Sequence, residues 1–293
     1  MIGHPFAYER PESLEQGLRL LAEHGPEAGV MAGGQELVPR LSLGATTPSV
    51  IIDIGRLKEL EGLRSLNGLV TLGSRVTHRR IARSAEVREH CGLLASAAGQ
   101  IGGGPQVRNR GTIGGVIAAA NPAYDYLPCL VALGATAHLA SARSHRAVAI
   151  EQLLLGHAPH ALEPGELIIE ISVAAPARGQ RFTYEKLKFT DGCSLIVGVA
   201  CAADVDEGGV VRSLQMAIGG ATETPLRLAE VESLVAGNAM TLELLDAAAE
   251  ETRRALAEPL SDVMADGAYR RRVAGSLVKR ALGSLADSDG GAT

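Results

Sequence analysis

Three strand-like runs follow one another after residue 180: "RFTYEKLKF", "SLIVGVACAADV" and "VVRSLQMAIGG". No helical pattern separates them, and Gly208-Gly209 supplies a hairpin turn between the last two. Helical patterns come only afterwards, near 225–236, 241–257 and 267–283. Strands first and helices second is the order of an α+β unit, with helices on one face of a three-stranded antiparallel sheet.

The chain before residue 175 is patterned differently, with helices and strands alternating. Residues 11–24, "PESLEQGLRLLAEH", read as a helix. Pro11 suits its first turn, Ser13 and Gln16 can form a capping box, and Leu14, Leu18 and Leu21 fall on one face. "SVIIDI", Ser49 to Ile54, is apolar at nearly every position, as a strand buried on both faces would be. Further strands are predicted at 68–74, 136–140, 147–150 and 166–173. Helices are predicted after Thr77, over 86–100 and over 124–135, and "GTIGGVIAAA" reads as a loop running into a strand. The unpatterned stretch "AAPARGQ", at 174–180, is the candidate boundary. The expected division is 1–175, split again near 57, then 180–286, then a disordered tail over 287–293. A length of 293 residues suits two domains at the usual ~100–200 residues each.

Composition removes several classes of function. A net charge of −5 without a basic run argues against nucleic-acid binding. No apolar run approaches the ~18 residues of a membrane span. The N-terminus lacks the layout of a signal peptide, so the expected location is cytoplasmic. Cys91, Cys129, Cys193 and Cys201 form no CxxC pair and read as small buried hydrophobes, giving no metal site. His138, His145, His157 and His160 lack metal spacing. Asp204, Asp206 and Glu207 lack the spacing of a calcium loop. Arg270, Arg271 and Arg272 read as a solvated helix face.

Two glycine-rich stretches carry the chemistry: "MAGGQELVPRL" from Met31 and "RNRGTIGGVIAAANPAYD" from Arg108. Paired glycines beside a strand allow close approach or φ > 0. Successive N–H groups in such a turn form an anion-binding nest, and Thr112 adds a hydroxyl beside the second pair. Arg108 and Arg110 are possible distant help. The other reading is that both pairs only make tight turns. No GxxxxGK[ST] and no strand–GxGxxG–helix pattern is present, which removes a P-loop and a Rossmann nicotinamide site.

These motifs resemble, in order, those of the FAD-binding medium subunit of molybdenum hydroxylases, the carbon monoxide dehydrogenase and xanthine dehydrogenase-like family. "FAYERPESLEQGLRLLAEHG" is similar to the family's opening, "AGGQELVP" to its first flavin loop and "PQVRNRGTIGG…NPAYD" to its second. "EPGELIIEISV", "YEKLK" and "IGGATETPLRL" resemble later family segments. The resemblance implies a two-subdomain α/β FAD-binding domain of the PCMH, vanillyl-alcohol-oxidase-like type, followed by the C-terminal α+β domain. It implies a flavoprotein oxidoreductase subunit that carries FAD and passes electrons from iron–sulfur clusters to an external acceptor. Its implied partners are a molybdopterin-binding large subunit and a small subunit with two [2Fe-2S] clusters. Carried over by position, the first loop is Ala32, Gly33, Gly34, Gln35 and Glu36. The second is Thr112, Ile113, Gly114, Gly115 and Val116, closed by Asp125; Ile168 and Lys186 match positions near the flavin ring. No catalytic residue and no metal ligand is implied. The sequence departs from the pattern at Val116, where the family usually has Asn, and at Phe189, Cys193 and Ser194. Two alternatives stand beside this reading: a free-standing flavin oxidoreductase, and a subunit of the same family without tight FAD binding.

Overall fold

The structure is a computed structural model that describes residues 3–155, 162–175 and 180–287. His157, His160, residues 176–179 of the expected boundary and residues 288–293 of the expected tail lie outside the described residues.

The chain opens with β1 (Ala7–Glu9), α1 (Leu14–His24), β2 (Ala28–Met31), α2 (Leu37–Ser42) and β3 (Val50–Asp53). The three strands form a parallel sheet in the order β1-β3-β2. Val50, Ile51 and Ile52 of the central β3 are buried, as their apolar run requires, and Asp53, which ends the strand, is buried with its Oδ1 accepting the Gly55 N–H at 2.7 Å. Leu18 and Leu21 of α1 join Val50 and Ile52 of β3 in one small core. Ser13 caps α1 by accepting the Gln16 N–H at 3.2 Å. The return bond goes to Glu12 rather than to Ser13: the Gln16 side-chain oxygen accepts the Glu12 N–H at 2.8 Å.

Next come β4 (Leu63–Leu66), β5 (Leu69–Gly73), α3 (His78–Arg83), α4 (Ala85–His90), α5 (Gly92–Gln100), α6 (Gly104–Arg110), α7 (Ile113–Ala119) and α8 (Tyr126–Ala132). β6 (Thr136–Ala140), β7 (His145–Ala149), α9 (Ile150–Leu155) and β8 (Leu167–Ala174) complete this part. Its sheet is antiparallel in the order β4-β5-β8-β6-β7. Two expectations are corrected here. The helix predicted over 86–100 is two helices, broken at Cys91 (φ −160°, ψ 52°). The segment read as running into a strand, "GTIGGVIAAA", is helix α7. Its β-branched residues suggested a strand, but Thr112 accepts the Gly115 N–H as an N-cap, and Ile113 and Ile117 bury one helical face.

The last part holds β9 (Arg181–Lys188), β10 (Leu195–Val205), β11 (Val211–Gly219), β12 (Leu226–Arg227), α10 (Ala229–Val235), α11 (Leu242–Ala255) and α12 (Gly267–Asp287). The three long strands pair antiparallel as expected, and the two-residue β12 adds a fourth at the β11 edge. β12 takes up the start of the helix predicted near 225–236, which begins only at Ala229; a two-residue strand is too short to show a period. α10 and α12 pack against this sheet, and α8 and α5 of the preceding part also reach β10. This double cover explains why Leu195 through Ala203 are all buried. Of the three arginines read as a solvated face, only Arg272 is exposed. Arg270 is buried and donates to the carbonyls of Ile196 and Gly220 and to Asp262. Arg271 donates to the Leu256 carbonyl.

Candidate cofactor site

The first glycine loop leaves β2 and enters α2, with Gly34 at φ +73°. Among the described residues, the N–H groups of Gly33, Gly34, Gln35 and Glu36 have no protein acceptor. Four consecutive free donors in a turn are an anion-binding nest. Glu36 then ties this loop to the second motif, because it accepts the Tyr124 hydroxyl. Burial, reinforced by this bond to Glu36, pushes the Tyr124 phenol well above its usual range.

The second loop is built differently. The Ile113 N–H donates to the Val76 carbonyl at 3.1 Å and the Gly114 N–H to the Ser74 carbonyl at 2.9 Å. The Gly115 N–H is taken by Thr112 Oγ1 at 3.2 Å. Its glycines therefore provide close approach, not open donors, and the expectation of two equal nests is corrected. A methyl group at Gly114 would lie 2.6 Å from Ser74 Cβ, so that glycine fits the scaffold. At Gly115 the added group would meet only Thr112 Oγ1, at 3.0 Å, so this glycine borders open space. Arg108, expected as distant help, is committed to the carbonyls of Gly99 and Ile101.

The two loops touch through Gly33. A methyl group there would lie 2.6 Å from the Arg110 carbonyl carbon, and nearer still to its oxygen. Behind the second loop, residues 74–78 form a rail. The Ser74 N–H donates to the Ile169 carbonyl at 3.0 Å, and the His78 N–H to the Gly111 carbonyl at 3.1 Å. The His78 ring is buried edge-on against Tyr126, 5.3 Å between centroids, and burial lowers its pKa to about 4. Ser74 Oγ, His78 Nδ1 and the Tyr126 hydroxyl have no partner among the described residues.

Asp125 and Lys186, far apart in sequence, meet in a buried pair. Lys186 Nζ lies 2.7 Å from Asp125 Oδ1 and 2.6 Å from the Gln100 carbonyl. The Tyr184 hydroxyl donates to the same Asp125 oxygen at 2.8 Å. The side chains of Lys186 and Asp125 are 2% and 4% exposed. Burial pushes the Asp125 carboxyl up, and the Lys186 ammonium and the Tyr184 hydroxyl pull it back. The pair joins α8 to β9, and so the two halves of the chain.

Ile168 is not brought to either loop. Its side chain is 3% exposed, packed in the core of the five-stranded sheet. That part of β8 acts through backbone, since Ile169 carries the carbonyl that holds Ser74. Tyr124, Tyr184, Ser74 and His78 were not singled out in the sequence. Tyr184 had a signal: two residues from Lys186 on a strand, it must share that face.

Residues 4–176 match the family described as FAD binding domain in molybdopterin dehydrogenase. The chain belongs to this family. Residues 182–285 match the CO dehydrogenase flavoprotein C-terminal domain. The medium chain of carbon monoxide dehydrogenase from Hydrogenophaga pseudoflava is 36% identical over 282 residues, covering 96% of this chain and 97% of that one. Subunit alpha of the 6-hydroxypseudooxynicotine dehydrogenase complex from Paenarthrobacter nicotinovorans is 31% identical, covering 94% and 93%. The solved carbon monoxide dehydrogenase of Hydrogenophaga pseudoflava, a form lacking the Mo-pyranopterin moiety, superposes with TM-score 0.92 over 97% of this chain and 98% of that chain.

As a member of the FAD-binding domain family, the chain is the medium subunit of an oxidoreductase, and its cofactor is FAD. The residues present suit a dinucleotide: free donors for a diphosphate at Gly33–Glu36 and open space beside Gly115. No described helix is long and apolar enough to cross a membrane, and no described group of His, Cys, Asp or Glu could hold a metal. Val116, in place of the usual Asn, packs half-buried against the main core. Val116→Asn is therefore expected to lower stability by about 1 kcal/mol without tightening FAD, since it sets an amide against an apolar edge. Flavin fluorescence titration of both apo proteins checks this, and a tenfold gain in the variant would contradict it.

Proposed function

We propose that this chain is the electron-transfer subunit of a molybdenum hydroxylase complex, receiving electrons from iron–sulfur clusters and passing them to an external acceptor. The free N–H groups of Gly33, Gly34, Gln35 and Glu36 carry this reading, because they make a diphosphate cradle that needs no lysine. Ala32 sets the entry to that cradle. Thr112, Ile113, Gly114 and Val116 fix the wall opposite, and Gly115 leaves it open. Asp125 and Lys186 hold the two halves, proposed as 1–175 and 180–286, at a fixed separation around the ring end of the cofactor. Ile168 supports that end from the core.

Bound FAD supplies a centre that exchanges one or two electrons, which is what joins one-electron clusters to a two-electron acceptor. The chain's own task is to bind it, exclude water and dock its neighbours. The partners proposed are a molybdopterin-binding large subunit and a small subunit with two [2Fe-2S] clusters, in the cytoplasm. Co-expression with such subunits from the same source is expected to give one complex in gel filtration, and its substrate should bleach the flavin absorbance. A chain that elutes alone, with both partners intact, would overturn this reading.

A further inference from the structure

We propose that the cleft beside α3 is a binding site for a phosphate-bearing anion, with room for a diphosphate. The cleft has a volume of about 460 Å³ and is lined by Arg79, Arg80 and Arg83, with Thr77, Ser84 and Glu86 among its other walls. None of the three guanidiniums has a carboxylate partner among the described residues. Arg79 donates to the Asn109 side-chain oxygen at 3.2 Å and Arg80 to the Glu61 carbonyl at 2.6 Å. Arg83 has no side-chain hydrogen-bond or ion-pair partner among the described residues. The one acid in the lining, Glu86, accepts the Ser65 N–H.

The hydroxyls point to the same ligand. Thr77 Oγ1 accepts the Arg80 N–H at 3.3 Å and Ser84 Oγ accepts the Val87 N–H at 3.2 Å. Each hydroxyl, used as an acceptor, keeps its own hydrogen to donate. A wall of guanidinium forks and hydroxyl donors recognises oxyanions, and arginine pairs with phosphate through two parallel bonds. Arg79 and Arg83 are one turn apart on α3, where like charges repel, so the fold gains nothing by grouping them. In a chain of net charge −5 the near absence of acids here is a local choice.

The cleft is distinct from the FAD loop, since no residue of 32–36 lines it. It lies close to the second loop, because Thr77 bridges to Thr112 and Arg79 holds Asn109 at the end of α6. The test is the melting temperature of the FAD-loaded protein, with any partner subunits it carries, titrated with inorganic pyrophosphate at constant ionic strength. A saturable rise is expected. Arg83→Ala breaks no contact, so it should melt like the parent without pyrophosphate and need about tenfold more pyrophosphate for the same rise. No saturable rise in the FAD-loaded parent, or an unchanged response in Arg83→Ala, would overturn the proposal.

Discussion

A Gly33→Ala chain is expected to purify almost free of flavin and to melt roughly 5 °C below the parent. The new methyl group meets the Arg110 backbone carbonyl, which cannot swing aside as a side chain would. The two loops must separate, and overpacking of this kind costs ~1–3 kcal/mol, or a few degrees in a chain of this size. The larger effect falls on FAD. Moving Gly33 to Glu36 away from the second loop misplaces four donors together, and a ~100-fold weaker dissociation constant corresponds to about 2.7 kcal/mol. Gly115→Ala serves as the contrast, since its methyl group meets only Thr112 Oγ1 before reaching open space. It should lose FAD affinity while the apo protein keeps its melting temperature. Fluorescence titration and apo melting curves of the two variants separate loop spacing from ligand space. Parental affinity in Gly33→Ala would show that the loop contact does not set the site.

Lys186→Met should cost about 3–5 kcal/mol, because it leaves the Asp125 carboxylate buried without its counter-charge. The pH dependence has a defined sign. Burial already raises the Asp125 carboxyl, and removing the ammonium raises it further. A carboxyl whose folded pKa lies above its unfolded value binds a proton more readily in the native state. Stability is then greatest at low pH and falls as pH rises through the carboxylate range and on to the folded pKa. Lys186→Met should thus be closer to the parent at pH 5 than at pH 8 in urea unfolding. Asp125→Asn added to Lys186→Met should recover much of the loss, since it removes the stranded charge. A loss independent of pH and not relieved by Asp125→Asn would mean that packing of the lysine stem, not the charge pair, is what matters.

Much of the architecture was legible wherever a period runs long enough to be seen. The buried run Val50–Asp53, the leucine face of α1 and the sequence of long strands after residue 180 each carry their own repeat. What failed was short or depended on distant partners. The α7 segment patterns as a strand because isoleucine and valine favour strands, and only the Thr112 cap makes it a helix. Cys91 breaks a continuous helical pattern through backbone angles that no spacing reveals. At the site, both glycine loops were visible as motifs, but their unequal roles were not. Which N–H groups are free depends on Ser74 and Val76, some 40 residues earlier, and on Arg110 packing beneath Gly33. The Asp125–Lys186 pair follows from tertiary packing of α8 against β10 and β11 of the sheet that carries β9, and local pattern says nothing of it.

The most direct measurement is the flavin content of the purified chain, taken with its melting curve before and after FAD is added. Denaturation should release one FAD per chain into solution, leaving none bound covalently. FAD at ~100 times its dissociation constant should stabilise the apo protein by about 2.7 kcal/mol. A colourless chain whose melting temperature does not move with added FAD would contradict the assignment of Gly33, Gly34, Gln35 and Glu36 as a cofactor cradle.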